Sequence, residues 1–227
     1  MRILNVILDL FFPPRCPFCR VLLTRDEVLC QSCAATLPIC MGDTAAQTGL
    51  AYTTCVSPLY FEGHVRNSLH RFKFSNARCY AVCYGEFLAA SIAKHCKNRY
   101  DMLSWIPIHP RRHRKRGYDQ AKILAEATAK QFGITAVETL RKIRHTDAQS
   151  GIKGHVARAA NIENAYAVVD IQRIKGQRIL LIDDIVTTGA TLEEAADCLL
   201  NAGAAEVLCA TVARNTKSTA EKREIKI

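Results

Sequence analysis

The sequence predicts an α/β fold, with a parallel sheet flanked by helices, behind a small cysteine-bearing module at the N-terminus. Beyond residue 50, short apolar runs alternate with amphipathic stretches of helical period. Before residue 40, four cysteines form two pairs, each with two residues between its members. The length of 227 residues suits one medium domain plus such an accessory module.

The predicted elements alternate along the chain and suggest its division into domains. Strands are predicted over 51–61, 101–109, 162–169, 178–182 and 205–212. Helices are predicted over 64–74, 80–97, 119–132 and 191–201. We divide the chain into an N-terminal helix and cysteine module (1–40), a small-residue linker (41–50), the α/β domain (51–214) and a flexible tail (215–227).

Charge and cysteine content restrict the partner and the compartment. A formal net charge of +10 suits a polyanion such as nucleic acid, a pyrophosphate-bearing metabolite or an acidic protein, although a solvated basic surface explains it equally. Eleven cysteines, an odd number, favour a reducing cytoplasm over a secreted disulfide framework. The apolar residues 1–12 are too few to span a bilayer, and we expect a helix that docks on the protein, with a signal peptide as the alternative.

The paired cysteines have the spacing of a metal site. Cys16 and Cys19 precede Cys30 and Cys33, with ten residues between the pairs. Each pair can bring two thiolates to one ion from a tight turn, and two such turns complete a tetrahedron. We predict structural zinc, with Cys40 as a substitute ligand; buried unligated thiols and a redox pair are the alternatives.

The most informative stretch combines a buried strand, two acids and a turn rich in threonine. Four apolar residues, 179–182, lead into Asp183 and Asp184, at the end of a strand where ligands bind in open α/β sheets. A turn of small and hydroxyl-bearing residues then opens a helix whose N-terminus suits a phosphate. That turn comprises Thr187, Thr188, Gly189, Ala190 and Thr191. Acids beside a phosphate site suit a ligand that also carries a sugar, or Mg²⁺; ordinary helix capping is the alternative.

A basic segment, 109–117, follows the predicted strand over 101–109. Its five fixed positive charges are well placed to meet a pyrophosphate, and arginine can bind such a group in bidentate fashion. A nucleic-acid backbone contact and a solvated basic loop are the alternatives. The candidate residues here are His109, Arg111, Arg112 and Arg116.

The stretch from 179 to 191 resembles the signature of type I phosphoribosyltransferases. The resemblance implies that Asp183 and Asp184 bind the ribose hydroxyls of phosphoribosyl pyrophosphate (PRPP), and that the turn 187–191 binds its 5′-phosphate, with Mg²⁺ present. It also implies that the basic segment 109–117 is the pyrophosphate loop.

The wider layout, from about residue 13 to 214, is similar to the ComF family of competence proteins, which usually have Asn where Asp119 stands. This similarity implies natural transformation, single-stranded DNA and other competence proteins as partners. The polar stretch 141–161 resembles a lid that closes over the site, with Arg144, Gln149 and Arg158 matching the family pattern.

Whether the site is catalytic stays open on the sequence, since no side chain can be named as an essential base. The alternatives are a metabolic glycosyltransferase that acts on a base or amine, and a module that senses PRPP without turnover. A metabolic transferase needs an aromatic to stack on its nucleobase. Tyr60, Phe61 and Phe74 lie in the appropriate half of the chain, but we expect them in the core.

Overall fold

The computed structural model describes residues 13–144 and 165–215. The helix predicted over 1–12, the lid residues Gln149 and Arg158 and the tail beyond 215 lie outside the described residues. No helix of the described ranges is long and apolar enough to cross a membrane.

Helices and strands alternate through the described ranges. The strands are β1 (Ala46–Gln47), β2 (Thr54–Val56), β3 (Leu59–Tyr60), β4 (Met102–Trp105), β5 (Leu140–Lys142), β6 (Tyr166–Val168), β7 (Arg178–Val186) and β8 (Glu206–Arg214). The helices are α1 (Gln31–Thr36), α2 (Gly63–Phe74), α3 (Tyr80–His95), α4 (Pro110–Arg116), α5 (Gln120–Gln131), α6 (Ile171–Ile174) and α7 (Ala190–Asn201), with a 3₁₀ helix over Gly42–Ala45.

Six strands form one sheet in the order β1-β2-β8-β7-β4, with β3 also beside β8. Every pair in it is parallel except β1 with β2, and β5 and β6 form a separate antiparallel pair. Because parallel strands end at the same edge, the segments that follow β4 and β7 come together there. This confirms the predicted α/β fold.

The core lies on both faces of the sheet because strand side chains alternate. Leu180 and Ile182 of β7 pack on one side with α2, α3 and α5. Ile179 and Leu181 pack on the other side with α7. A strand buried on both faces is apolar at successive positions, as 179–182 are.

Several elements differ from their predicted bounds for local reasons. The strand predicted over 51–61 is divided into β2 and β3 around Pro58, which lacks an N–H group for the ladder. The predicted linker over 41–50 contains β1, which pairs with β2 at the sheet edge. Strand β7 continues to Val186, four residues beyond its predicted end, so Asp183 and Asp184 belong to the strand.

The basic segment predicted as a loop is largely helical. Pro110 occupies the first turn of α4, where its fixed φ suits a helix and no N–H is needed. The His109 Nδ1 atom accepts a hydrogen bond of 3.2 Å from the Arg111 N–H and caps the helix. Gly117 ends it with φ +80°, in the left-handed region. The basic side chains therefore project at helical spacing.

Candidate functional site

The four paired cysteines converge on one point, as their spacing predicts. The sulfur atoms of Cys16, Cys19, Cys30 and Cys33 all lie within 4.8 Å of one another, and those of Cys19 and Cys30 are 3.5 Å apart. Sulfurs bound tetrahedrally to one zinc ion are about 3.8 Å apart, so the cluster has the dimensions that zinc requires. Cys30 also caps α1, with its sulfur 3.4 Å from the Cys33 nitrogen. The donor set fits a structural zinc ion.

The first cysteine turn is fastened to helix α2. The Arg71 guanidinium donates hydrogen bonds of 2.8 and 3.0 Å to the carbonyls of Pro17 and Phe18. The Ser68 hydroxyl donates a third, of 2.5 Å, to the Pro17 carbonyl. The Phe18 ring is buried and meets Tyr84 of α3 edge to face, at 6.0 Å between centroids. The cysteine module therefore shares its core with the α/β domain.

The predicted acid pair lies near the carboxyl end of β7. Asp184 is 7% exposed, and its Oδ2 atom is 2.7 Å from the Lys73 ammonium at the end of α2. Asp183 is half-buried. Burial, followed by the nearby charge of Asp184, raises the pKa of Asp183 to about 8, and Lys73 opposes the rise. Sequence reasoning missed Lys73, because nothing in the pattern of α2 points to the acids.

The turn after β7 forms a small pocket together with Asp183. Residues 185–192 line it, and Gly189 stands at the N-cap of α7 with φ +85°. A Cβ atom on Gly189 would meet the Tyr52 hydroxyl at 3.3 Å, so the turn favours glycine on two grounds. The first N–H groups of a helix lack partners within it and can bind an anion.

Helical spacing decides which basic residues face the acids. Arg112 and Arg116, four residues apart on one face of α4, are half-buried, whereas Arg111 is exposed. The Arg116 guanidinium lies 5.1 Å from the centroid of the Phe74 ring. Burial lowers the pKa of Arg116, and the charge of Asp184 opposes this. Of the predicted candidates, Arg112 and Arg116 thus turn toward the site, while His109 serves as a helix cap.

A lysine and a tyrosine at the base of the predicted lid add to the site. Lys142 of β5 lies with its ammonium 3.2 Å from the Tyr166 hydroxyl and 4.9 Å from the centroid of that ring. Burial and the charge of Arg112 lower the pKa of Lys142 to about 8, and Asp183 opposes them. Lys142 is the second residue of the predicted lid stretch and Tyr166 lies beyond its end, and the pairing of β5 with β6 brings them together. Arg144, the described lid candidate, is exposed.

Asp119 links the basic helix to the helix that follows. Its carboxylate accepts a hydrogen bond from the Lys122 N–H at 3.2 Å, which makes it the N-cap of α5, and another from the Ile108 N–H at 2.9 Å. Both ends of the basic segment are therefore held by one side chain. Burial raises the pKa of Asp119, and these backbone hydrogen bonds oppose the rise.

Comparison with known families gives two separate matches along the chain. Residues 119–227 match the family described as phosphoribosyl transferase domain. Residues 7–50 match the family described as double zinc ribbon domain. The first match contains the acid pair and the turn 187–191, and the second contains all four clustered cysteines. Together with the sulfur geometry, the second match supports a structural zinc ion.

Known proteins of similar sequence complete the comparison. The DNA utilization protein YhgH of Salmonella typhi is 32% identical over 49% of this chain, and the match spans only 50% of that protein. YhgH of Escherichia coli K12 is 27% identical over 87% of this chain and 84% of its own length. Competence protein ComFC of Bacillus subtilis is 26% identical over 86% of this chain and 87% of its own length.

Among solved structures, the glutamine PRPP amidotransferase of B. subtilis is 20% identical over 64% of this chain and 32% of its own, with a TM-score of 0.41. That similarity is too remote to add to the assignment. The two domain matches and the near full-length relatives instead agree with the resemblance seen in the sequence. The chain is thus similar to proteins of the ComF family over most of its length, with a match to a double zinc ribbon domain followed by a match to a phosphoribosyl transferase domain.

Proposed function

We propose that this chain binds PRPP at the carboxyl edge of the sheet. Asp183 and Asp184 accept hydrogen bonds from the ribose hydroxyls, and the turn 187–191 holds the 5′-phosphate through its backbone N–H groups and hydroxyls. The observation that carries the proposal is that one acid of the pair lines the same pocket as the whole threonine–glycine turn. A phosphorylated sugar carries hydroxyls for the carboxylate and a phosphate for the turn, close enough together to occupy one pocket.

The pyrophosphate of the ligand lies under the inner face of α4 in this proposal. Arg112 and Arg116 supply fixed positive charge there, and Lys142 approaches from β5. Charge-assisted hydrogen bonds from arginine to phosphate oxygens are among the stronger ones in proteins. The same groups would stabilise pyrophosphate as it leaves the ribose, if the site is catalytic.

Mg²⁺ fits the same site, because carboxylate and phosphate oxygens are the ligands it prefers. Asp183 and Asp184 are the residues that would hold it, directly or through water. When bound, Mg²⁺ neutralises charge on the pyrophosphate. Lys73 contributes a positive charge at Asp184 in the ligand-free chain, at 2.7 Å.

The relatives give the biological side of the proposal. Their names refer to DNA utilization and to competence, so we place this chain in DNA uptake and natural transformation, handling single-stranded DNA in the cytoplasm with other competence proteins. The net charge of +10 and the exposed basic positions of α4 support a nucleic-acid partner.

Calorimetric titration with PRPP and Mg²⁺ tests the site. Wild type is expected to bind, and the double variant Asp183→Asn/Asp184→Asn is expected to bind about 100-fold more weakly or not at all, because two hydrogen-bonding charges are removed. Asp197→Asn, on the exposed outer side of α7, is the matched control and retains affinity. Equal binding by the double variant would place the ligand elsewhere. Pyrophosphate release with a panel of bases then separates a transferase from a sensor.

A further inference from the structure

Phe74 is an exposed aromatic where the sequence predicts a core residue. It is the last residue of α2, and 63% of its surface is exposed. Tyr60 and Phe61, grouped with it in the sequence, are half-buried. Exposing a phenylalanine forgoes the stabilisation that its burial would give. Its neighbour Lys73 contacts Asp184, so the exposed ring lies beside the proposed PRPP site.

A cationic group and a second ring already flank the Phe74 ring. The guanidinium carbon of Arg116 lies 5.1 Å from its centroid. The exposed His70 ring, one turn earlier in α2, lies 4.8 Å away at an interplanar angle of 47°. These two contacts cover part of the ring and leave most of it open to solvent.

The two chain segments that lie around Phe74, 63–85 and 102–118, contain no acidic residue. Residues 63–85 contain four Lys or Arg and no Asp or Glu, and residues 102–118 contain five and none. The Arg78 guanidinium joins the two segments, since it donates a hydrogen bond of 3.0 Å to the Gly117 carbonyl and lies 4.7 Å from the Tyr118 centroid. An anionic chain can therefore approach the ring without passing an acid of either segment.

We propose that Phe74 is a stacking platform for an unpaired base of single-stranded DNA, whose phosphates follow the exposed basic positions of α4. An aromatic face set among cations suits this ligand, because bases stack on the ring and the cations neutralise the backbone. In duplex DNA the faces of the bases are already stacked and cannot reach the ring. A free base carries no phosphate, so it leaves the surrounding cations without a partner.

This proposal rests on the proposed function for its partner, single-stranded DNA, but not on PRPP binding. It adds the residue that contacts the bases. It also places the DNA strand beside the proposed PRPP site. Lys73, which contacts Asp184, is adjacent to Phe74 in sequence. For Arg116, which lies over the Phe74 ring, burial lowers the pKa and the charge of Asp184 opposes this.

Fluorescence anisotropy with a labelled oligo-dT strand of about 30 nucleotides tests the platform. Phe74→Ala is expected to weaken binding about ten-fold or more, the usual effect of removing one stacking aromatic. Phe74→Trp is expected to retain binding, and the emission of the new Trp is expected to be quenched, while the single native Trp105 is buried. The matched control is Ile171→Ala, which is expected to retain affinity. Ile171 is an exposed apolar residue that precedes β7, and it therefore lies at the opposite end of the sheet.

Salt dependence separates stacking from phosphate contacts. Phe74→Ala is expected to leave the slope of log affinity against log salt unchanged. Arg114→Ala with Lys115→Ala is expected to lower that slope by about one for each phosphate that the protein no longer neutralises. A slope change in Phe74→Ala, or equal binding of wild type and Phe74→Ala, would overturn the platform.

Two further titrations settle the ligand and its relation to the PRPP site. Adenosine and a duplex of the same length are expected not to compete at concentrations where the single strand does; competition by adenosine alone would reassign Phe74 to a small acceptor. Wild type that binds oligo-dT through Phe74 but shows no heat with PRPP and Mg²⁺ would refute the phosphoribosyl site and leave the platform intact. The reverse result would refute the platform alone.

Discussion

Replacing Asp183 by asparagine is expected to stabilise the protein in the absence of ligand. The same change is expected to weaken the proposed binding of PRPP. The carboxylate stands half-buried beside a second acid, Asp184, whose own charge is matched by Lys73 at 2.7 Å. Asp183 thus carries the unfavourable charge of the pair. Functional sites commonly keep such unfavourable groups at a cost to stability.

The pH dependence follows from the raised pKa of Asp183, from 3.8 to about 8. Between these values the folded protein holds a proton that the unfolded chain has released, so the free energy of unfolding falls as pH rises across that window. At about 1.4 kcal/mol per pKa unit, the full shift corresponds to a loss of at most about 6 kcal/mol in the free energy of unfolding. Because solvent screens the charge of this half-buried carboxylate, we expect Asp183→Asn to gain about 2 kcal/mol at pH 8, or about 4 to 8 °C in Tm.

Thermal unfolding by circular dichroism at pH 5, 6.5 and 8 measures the effect, and the gain should increase with pH. Asp184→Asn is the control, and no gain is expected from it because Lys73 loses its partner. A constant difference at all three pH values would show that Asp183 ionises normally. Equal stabilisation by both variants would show that the cost belongs to repulsion within the pair and not to burial of Asp183.

Two further predictions concern the basic helix and the zinc site. Arg112→Ala, but not Arg111→Ala, is expected to weaken the calorimetric affinity for Mg²⁺-pyrophosphate about ten-fold or more, because only the inner face of α4 turns toward the acids. Removal of zinc by a chelator is expected to lower the unfolding midpoint in scanning fluorimetry and to weaken PRPP binding. The reason is that Ser68 and Arg71 fasten the cysteine module to the helix that also carries Lys73.

Each of these has an outcome that contradicts it. Similar effects in both arginine variants would indicate a diffuse electrostatic influence of α4 and not a direct interaction. A chelated protein that keeps its midpoint and its PRPP affinity, with zinc removal verified by a colorimetric assay, would show that α2 does not depend on the cysteine module.

Local sequence determined the two motifs and the order of the elements. Cysteines with two residues between them meet around one turn, and the acids and threonines at 183–191 follow one strand into one helix, so short spacings predict the parts of each cluster. The cap of α5 by Asp119 is equally local. The helical form of α4 also had local signals, in Pro110 and Gly117, that its charge obscured.

Only the tertiary structure decided which distant residues complete the site. Lys73 reaches Asp184 across 111 positions of the chain, Lys142 meets Tyr166 through strand pairing, and Phe74 is left exposed under Arg116. These contacts depend on how helices and strands pack, and a pattern of three or four residues carries no information on that packing. The same apolar period that places Leu69 and Phe72 in the core leaves the last residue of α2 free to face solvent.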